Sequence, residues 1–339
     1  MTTGKEGIEY SAELETIQTS KPLVSHIYTA DPAAHCFDGK LYIYPSHDVE
    51  KNNVFDDDGG HFQMHDYHVF SMDDVDGPIV DHGVVLKVED ILWAEKQLWD
   101  SDVACKDGRY YMYYSAKDRN DIFHLGVAVS DSPEGPFIPE PYPILGSYSI
   151  DPCVFQDDDG KYYIYFGGIW GGQLQRYRDN KAIEVGQEPM DNEPALAPKV
   201  AELSDDMLEF AEEPKDLVIL DENGHALTSG DHDRRFFEAS WMHKYKGKYY
   251  FSYSTGNTHR LCYAMGDTPY GPFTYKGVIM NPVVGWTTHH SIVEFKDKWY
   301  LFYHDCILSK GVTHLRNIKC IEIDYDEEGL IEEVFPYKR

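Results

Sequence analysis

The sequence predicts an all-β fold, a five-bladed β-propeller with four-stranded antiparallel blades around a central axis. Three observations predict it. A hairpin phrase recurs five times, as FDGKLYIYPS (37–46), KDGRYYMYYS (106–115), DDGKYYIYFG (158–167), YKGKYYFSYS (245–254) and FKDKWYLFYH (295–304). A second phrase follows in two of the units, GVAVSDSPEGPF (126–137) and CYAMGDTPYGPF (262–273), and MHDYHVFSMDDVDGPI (64–79) takes the same place in the first. Helical periodicity is scarce, and only DDMLEFAEE (205–213) offers a short helix. Units spaced by roughly 50 to 90 residues are too wide and uneven for a solenoid, whose repeats run ~20–47.

Taken in order, each unit opens with a short apolar run: PAAHCF, SDVACK, PCVFQD, SWMHKY and SIVEFK. An Asp, Gly and Lys turn follows, then a Tyr-rich run poor in helix formers, which reads as a hairpin of two inner strands. The small-residue run ending in Pro-Gly-Pro-Phe supplies an outer strand and turn. Residues 1–21 form an N-terminal extension, and 22–339 form a single propeller domain.

The 339 residues include 59 Asp plus Glu against 30 Lys plus Arg, a formal net charge of −29. No run of Lys and Arg offsets that field, which excludes nucleic acid and anionic membrane surfaces as partners. No apolar stretch approaches the ~20 residues that span a bilayer, and MTTGKEGIEYSAELETIQTSKP lacks an apolar leader, so a cytoplasmic location is expected. Six cysteines without a CxxC pair read as reduced, buried thiols. The 26 Tyr, 16 Phe and 6 Trp suit both blade packing and sugar stacking.

The turn cation provides a ruler. Nine or ten residues before Lys40, Arg109, Lys161, Lys248 and Lys298 stand Asp31, Asp100, Asp151, Glu238 and His289. In a propeller the inner strands converge on the axis, so these side chains meet in one small region. Charged groups in apolar strands are costly unless paired or used. Crowded carboxylates push their pKa values apart, leaving some ionised and one protonated near neutrality. Glycoside hydrolysis needs that combination: an acid for the leaving oxygen and a base for water.

On these residues the chain resembles glycoside hydrolase family 43, five-bladed propeller enzymes that cleave plant cell-wall pentose linkages with inversion. The resemblance runs from about residue 22 onward. YTADPAAHCFDGKLYIY resembles the motif of the general base, which falls on Asp31; SIDPCVFQDDDGKYYIYFGG places the residue that tunes and orients the acid on Asp151. RFFEASWMHKYKGKYYFSYS puts the general acid on Glu238, and THHSIVEFKDKWYLFYH puts on His289 the axial histidine that meets a hydrated divalent cation, calcium. HLRNIKCIEIDYDEEG resembles the closing segment whose Arg reaches the substrate, here Arg316.

One departure is informative. Where the family's second blade commonly reads Trp-Ala-Pro-Asp, this chain reads Trp99-Asp100-Ser101-Asp102, placing Asp100 in register with the catalytic carboxylates, toward the sugar or the metal. Trp93 and Trp99 are candidate walls of the sugar pocket. The acidic runs 56–58 and 157–159 read as turns, and 324–335 is no EF-hand because its twelfth place is Phe335. His35, His68, His243 and His304 read as satisfied core or channel-wall histidines.

The resemblance implies an exo-acting β-xylosidase on neutral pentose oligosaccharides. α-L-Arabinofuranosidase is its side reaction or its main one. A non-catalytic sugar-binding propeller is the reading from another class, but it has no need of three converging carboxylates.

Overall fold

The computed structural model describes residues 7–51, 55–56, 58–286 and 288–338. Residues 1–6 of the extension and Asp57 of the first acidic run lie outside the described residues. Five small sheets form a ring, and their inner strands touch in cyclic order. Blade one comprises Tyr28–Phe37, Lys40–Asp48, Asp66–Met72 and Val80–Lys87. Blade two comprises Ser101–Lys106, Arg109–Lys117, Phe123–Ser130 and Ile138–Pro139, and blade three Cys153–Gln156, Tyr162–Phe166, Lys199–Glu202 and Lys215–Asp216. Blade four comprises Glu238–Tyr245, Lys248–Ser254, Leu261–Gly266 and Phe273–Met280, with Ile219–Leu220 added in parallel at its outer edge. Blade five has three strands among the described residues, His290–Phe295, Lys298–Asp305 and Asn317–Ile323.

Four inner hairpins turn through two successive left-handed residues, Asp38-Gly39, Asp107-Gly108, Lys246-Gly247 and Lys296-Asp297. That backbone matches the right-handed twist of the flanking strands. In blade three the longer turn draws Asp157 and Asp158 onto Lys244, so this acidic run is a hairpin turn. Asp56 likewise accepts the amides of Asp58 and Gly60.

In blades one to three, a tyrosine four residues past the turn cation ties the blade to the next. Tyr44 donates to Pro133 O at 2.7 Å, Tyr113 to Met207 O at 2.8 Å and Tyr165 to Pro269 O at 2.9 Å. Each ring is fully buried, so its hydroxyl must find a partner there. The recurrent tyrosines therefore serve blade packing. The ring closes where Leu23 N donates to Ile318 O and Thr29 N to Arg316 O, joining the chain just before blade one, and that blade's first strand, to blade five.

Two expectations are corrected. Residues 205–213 form turns instead of a helix. Ser204 and Asp206 bond local backbone amides, and Met207 takes a left-handed conformation, so side chains compete with the helical hydrogen bonds. The α-helix present is Ala12–Ile17, capped by Ser11. Secondly, Cys36 is exposed and Cys105 and Cys320 are half-buried; all six cysteines are free. Cys36 stands one residue before the end of an inner strand, where the hairpin leaves the core. No helix among the described residues is long and apolar enough to cross a membrane.

Candidate active site

Each side chain picked out by the ruler lies within the first four residues of its inner strand or just before it, and at three of the five places the backbone is irregular. Asp31 is left-handed (φ 49°) within a bulge between Ala30 and Ala33. Asp151 is left-handed (φ 61°) just before Cys153–Gln156. Glu238 is followed by left-handed Ala239 (φ 66°) in a bulge that runs to Trp241. Such conformations cost about 1–3 kcal/mol each for non-glycine residues, and bulges re-aim side chains at strand ends. Their recurrence at one structural level turns three carboxylates toward the axis.

Asp31 is buried and fully engaged. Its Oδ1 accepts from Arg316 Nη1 at 2.9 Å, its Oδ2 from Ser46 Oγ at 2.6 Å, and its backbone N–H donates to His304 Nδ1 at 3.0 Å. Burial pushes its pKa up. The Arg316 guanidinium, the imidazoles of His304 and His289 and the Ser46 hydrogen bond outweigh burial and hold the carboxyl below its ordinary value. Asp31 is thus ionised at neutral pH, as a general base must be.

Arg316 is buried between two carboxylates. Asp48 accepts from Nε at 2.8 Å and from Nη2 at 2.7 Å, and the guanidinium lies 4.8 Å from the Phe62 ring centre. The bidentate fork fixes the guanidinium plane. In this structure Arg316 serves Asp31 directly.

Across the axis, Asp100 and Asp151 form a close pair. Asp100 Oδ2 accepts from Ser115 Oγ at 2.8 Å and from the Asp151 backbone amide. Asp151 Oδ2 accepts from Ala239 N at 2.5 Å, which ties it to the strand presenting Glu238. Burial, the Asp100 charge and hydrogen bond, and Glu238 hold Asp151 well above the usual carboxylate range; burial foremost raises Asp100 as well. The half-buried Glu238 lies beside the pair. His289 Nδ1 lies 3.8 Å from Asp31 Oδ1 and 3.6 Å from Asp151 Oδ1, so the imidazole bridges the two halves of the site. Burial keeps it below its ordinary pKa despite both carboxylates nearby, Asp31 and Asp100.

Asp100, Asp151 and His289 each offer a ligand atom within 4.8 Å of the others, and Asp100 Oδ1 is buried without a hydrogen-bond partner. Two carboxylates and one imidazole suit a divalent cation that completes its shell with water, although the imidazole is atypical for calcium.

The five ruler residues therefore converge, with Arg316 among them. Trp99 does not behave as a pocket wall. It is 8% exposed, packed 5.1 Å from Phe62 and 5.8 Å from Phe123, because Gly59 lets the ring settle against the backbone. Trp93 is half-buried and stacks on Tyr114 at 6.1 Å. Beside Glu238, Trp170 packs on Phe237 and lies 6.1 Å from Trp286, an aromatic pair that the sequence reading passed over. Asp48, Ser46 and Ser115 were also passed over. A signal existed for the serines: each closes the hairpin phrase and stands 15 residues after its aspartate, Ser46 on Asp31 and Ser115 on Asp100.

Comparison with known proteins points the same way. A model described as Glycosyl hydrolases family 43 matches residues 80–331. A xylosidase/arabinosidase of Bacteroides ovatus is 68% identical over 310 residues, 91% of this chain and 95% of that protein. A β-xylosidase of Xylanibacter ruminicola is 62% identical, covering 91% and 97%. The crystal structure of a GH43 β-xylosidase/α-arabinofuranosidase from a compost microbial metagenome, in complex with xylotriose and in a calcium-free form, superposes with a TM-score of 0.93. It is 60% identical, covering 95% of this chain and 99% of that one.

Proposed function

Because this chain belongs to glycosyl hydrolases family 43, we propose that Asp31, Glu238 and Asp151 are the working carboxylates of an inverting enzyme. The chain is a glycoside hydrolase that releases terminal xylose from β-1,4-xylo-oligosaccharides and also acts on α-L-arabinofuranosides. In the proposed single displacement, Asp31 takes a proton from the water that attacks the anomeric carbon while Glu238 protonates the departing oxygen. Asp151 orients the Glu238 strand through the Ala239 amide, and its carboxyl lies close enough to Glu238 for the two to interact electrostatically.

The observation that carries this reading is the opposite displacement of two buried aspartates on one axis. Arg316 and its neighbours hold Asp31 below its ordinary value, while burial and Asp100 push Asp151 well above it. Arg316 and Asp100 are in this reading positioning residues for the base and the acid. Trp170 with Trp286 supplies apolar faces for a sugar ring beside Glu238, and Trp93, stacked on Tyr114, is a second candidate wall.

His289, Asp100 and Asp151 would hold a divalent cation, calcium by family resemblance. Bound there, it would supply positive charge that lowers the pKa of the adjoining carboxyls. The six free cysteines fit a reducing compartment, in keeping with a cytoplasmic location. The substrates proposed are neutral pentose oligosaccharides, which need no basic surface.

The test is to follow aryl β-xyloside and aryl α-arabinofuranoside hydrolysis in parallel by proton NMR. Inversion delivers α-xylose as the first product of a β-xyloside; β-xylose as first product overturns the single displacement. Absence of turnover on both substrates overturns the reading as a whole.

A further inference from the structure

A second cluster of metal-binding side chains lies on blade one, away from the axis. His47, Asp66 and His68 each offer a donor atom within 4.8 Å of the others, and all three are half-buried. His47 sits on strand Lys40–Asp48 between Ser46 and Asp48, whose side chains reach the active site. Successive strand residues face opposite ways, so its ring projects away from Asp31.

Two imidazoles converge on one carboxylate oxygen. Asp66 Oδ1 lies 2.7 Å from His47 Nδ1 and 3.9 Å from His68 Nε2, and the two rings are 5.0 Å apart. Donor atoms around a tetrahedral zinc ion stand about 3.3 Å from one another, given metal–ligand bonds of ~2.0–2.1 Å. The two distances bracket that value, so closing of the His68 ring toward Asp66 together with a slight opening of the His47–Asp66 contact completes the set.

The outer partners are also in place. His68 turns Nε2 toward Asp66 because its Nδ1 is held by Asp81 Oδ1 at 3.0 Å. Asp81 is itself anchored by the Gly83 amide at 2.7 Å and by His26 Nε2 at 2.7 Å. A carboxylate that fixes the far nitrogen of an imidazole is the usual support of a metal-ligating histidine. A purely structural network would need only the two direct His–Asp bonds. It would not need His68 Nε2 aimed at a carboxylate already satisfied by His47.

We propose that His47 Nδ1, Asp66 Oδ1 and His68 Nε2 bind a divalent transition-metal ion of the zinc class, with water in the fourth position and Asp81 orienting His68. The mixed imidazole and carboxylate donors favour zinc or cobalt over calcium or magnesium. Binding displaces the proton held between His47 and Asp66, which passes to His47 Nε2 or, from the imidazolium, to water. Binding also clamps the second and third strands of blade one.

The test uses the full chain, stripped with chelator and titrated with zinc(II) by calorimetry and with cobalt(II) by visible absorption. His289→Gln serves as the background, so that the axial cluster does not contribute. One equivalent is expected to bind. His68→Gln in that background should abolish binding, and Asp81→Asn should weaken it about 10- to 100-fold. Retained glycoside hydrolysis by His68→Gln alone certifies its fold, and Asp81→Asn carries the test should that variant fail to fold. A His289→Gln protein that takes up no zinc overturns the proposal, as does an affinity untouched by His68→Gln or Asp81→Asn.

Discussion

Replacing Arg316 by Met removes the guanidinium that faces the proposed base. Its Nη1 is 2.9 Å from Asp31 Oδ1. Taking charge centres about 4 Å apart at an effective dielectric of about 20, the attraction is roughly 4 kcal/mol, at most ~3 pKa units. His304, His289 and Ser46 remain, so a rise of about 1–3 units is expected for Asp31. A base acts only when ionised, so the acid limb of kcat/KM moves to higher pH by that amount. The same sign governs stability. Asp31 has a folded pKa below its unfolded one, so it stabilises the fold above the ordinary carboxylate pKa, and that contribution fades as pH falls through the folded value. The variant loses it at a higher pH. Removing the arginine also strands buried Asp48 without its fork, a cost of about 3–5 kcal/mol. A second substitution, Asp48→Leu, should return much of that stability while leaving the acid limb displaced. The assay is kcat/KM on an activated aryl xyloside from pH 3 to 8, alongside urea unfolding. An acid limb unchanged in Arg316→Met refutes the assignment of Asp31 as an arginine-tuned base.

Three further outcomes are expected. Glu238→Gln should slow substrates with poor leaving groups far more than aryl glycosides with good ones, whereas Asp31→Asn should slow both by several orders of magnitude; an equal effect of Glu238→Gln on all leaving groups removes it as the acid. Chelator treatment should reduce hydrolysis and calcium, magnesium or manganese should restore it; unchanged turnover removes the cation from the axis. Gly126→Ala would bring a Cβ within 2.4 Å of the buried Tyr114 ring, lowering the urea midpoint by an amount equivalent to ~1–3 kcal/mol; an unaltered midpoint shows that blade two can open there.

Much of this architecture was legible because it repeats. An interval of nine or ten residues from the turn cation found Asp31, Asp100, Asp151, Glu238 and His289, each near the opening of an inner strand. What does not repeat was hidden. The pairing of Arg316 with Asp48 spans 268 residues and exists only when the ring has closed. Trp99 looked like a pocket wall because it precedes a strand in a loop-like stretch. Its neighbours in space, Phe62 and Phe123, come from other segments. The 205–213 helix failed on local chemistry. Its Leu, Phe and Glu residues favour helix, but Ser204 and Asp206 bond the backbone first.

The seam between blades one and five has a temporal meaning. Asp31 gains its guanidinium partner only when a residue 285 positions further along has been placed. A growing or half-folded chain with the first four blades assembled would hold all three proposed catalytic carboxylates, yet its base would lack its counter-charge. Ring closure then acts as a commissioning step. Activity regained during refolding, assayed at the acidic end of the pH range where Asp31 depends most on Arg316, is expected to follow that closure more closely than spectroscopic strand content does.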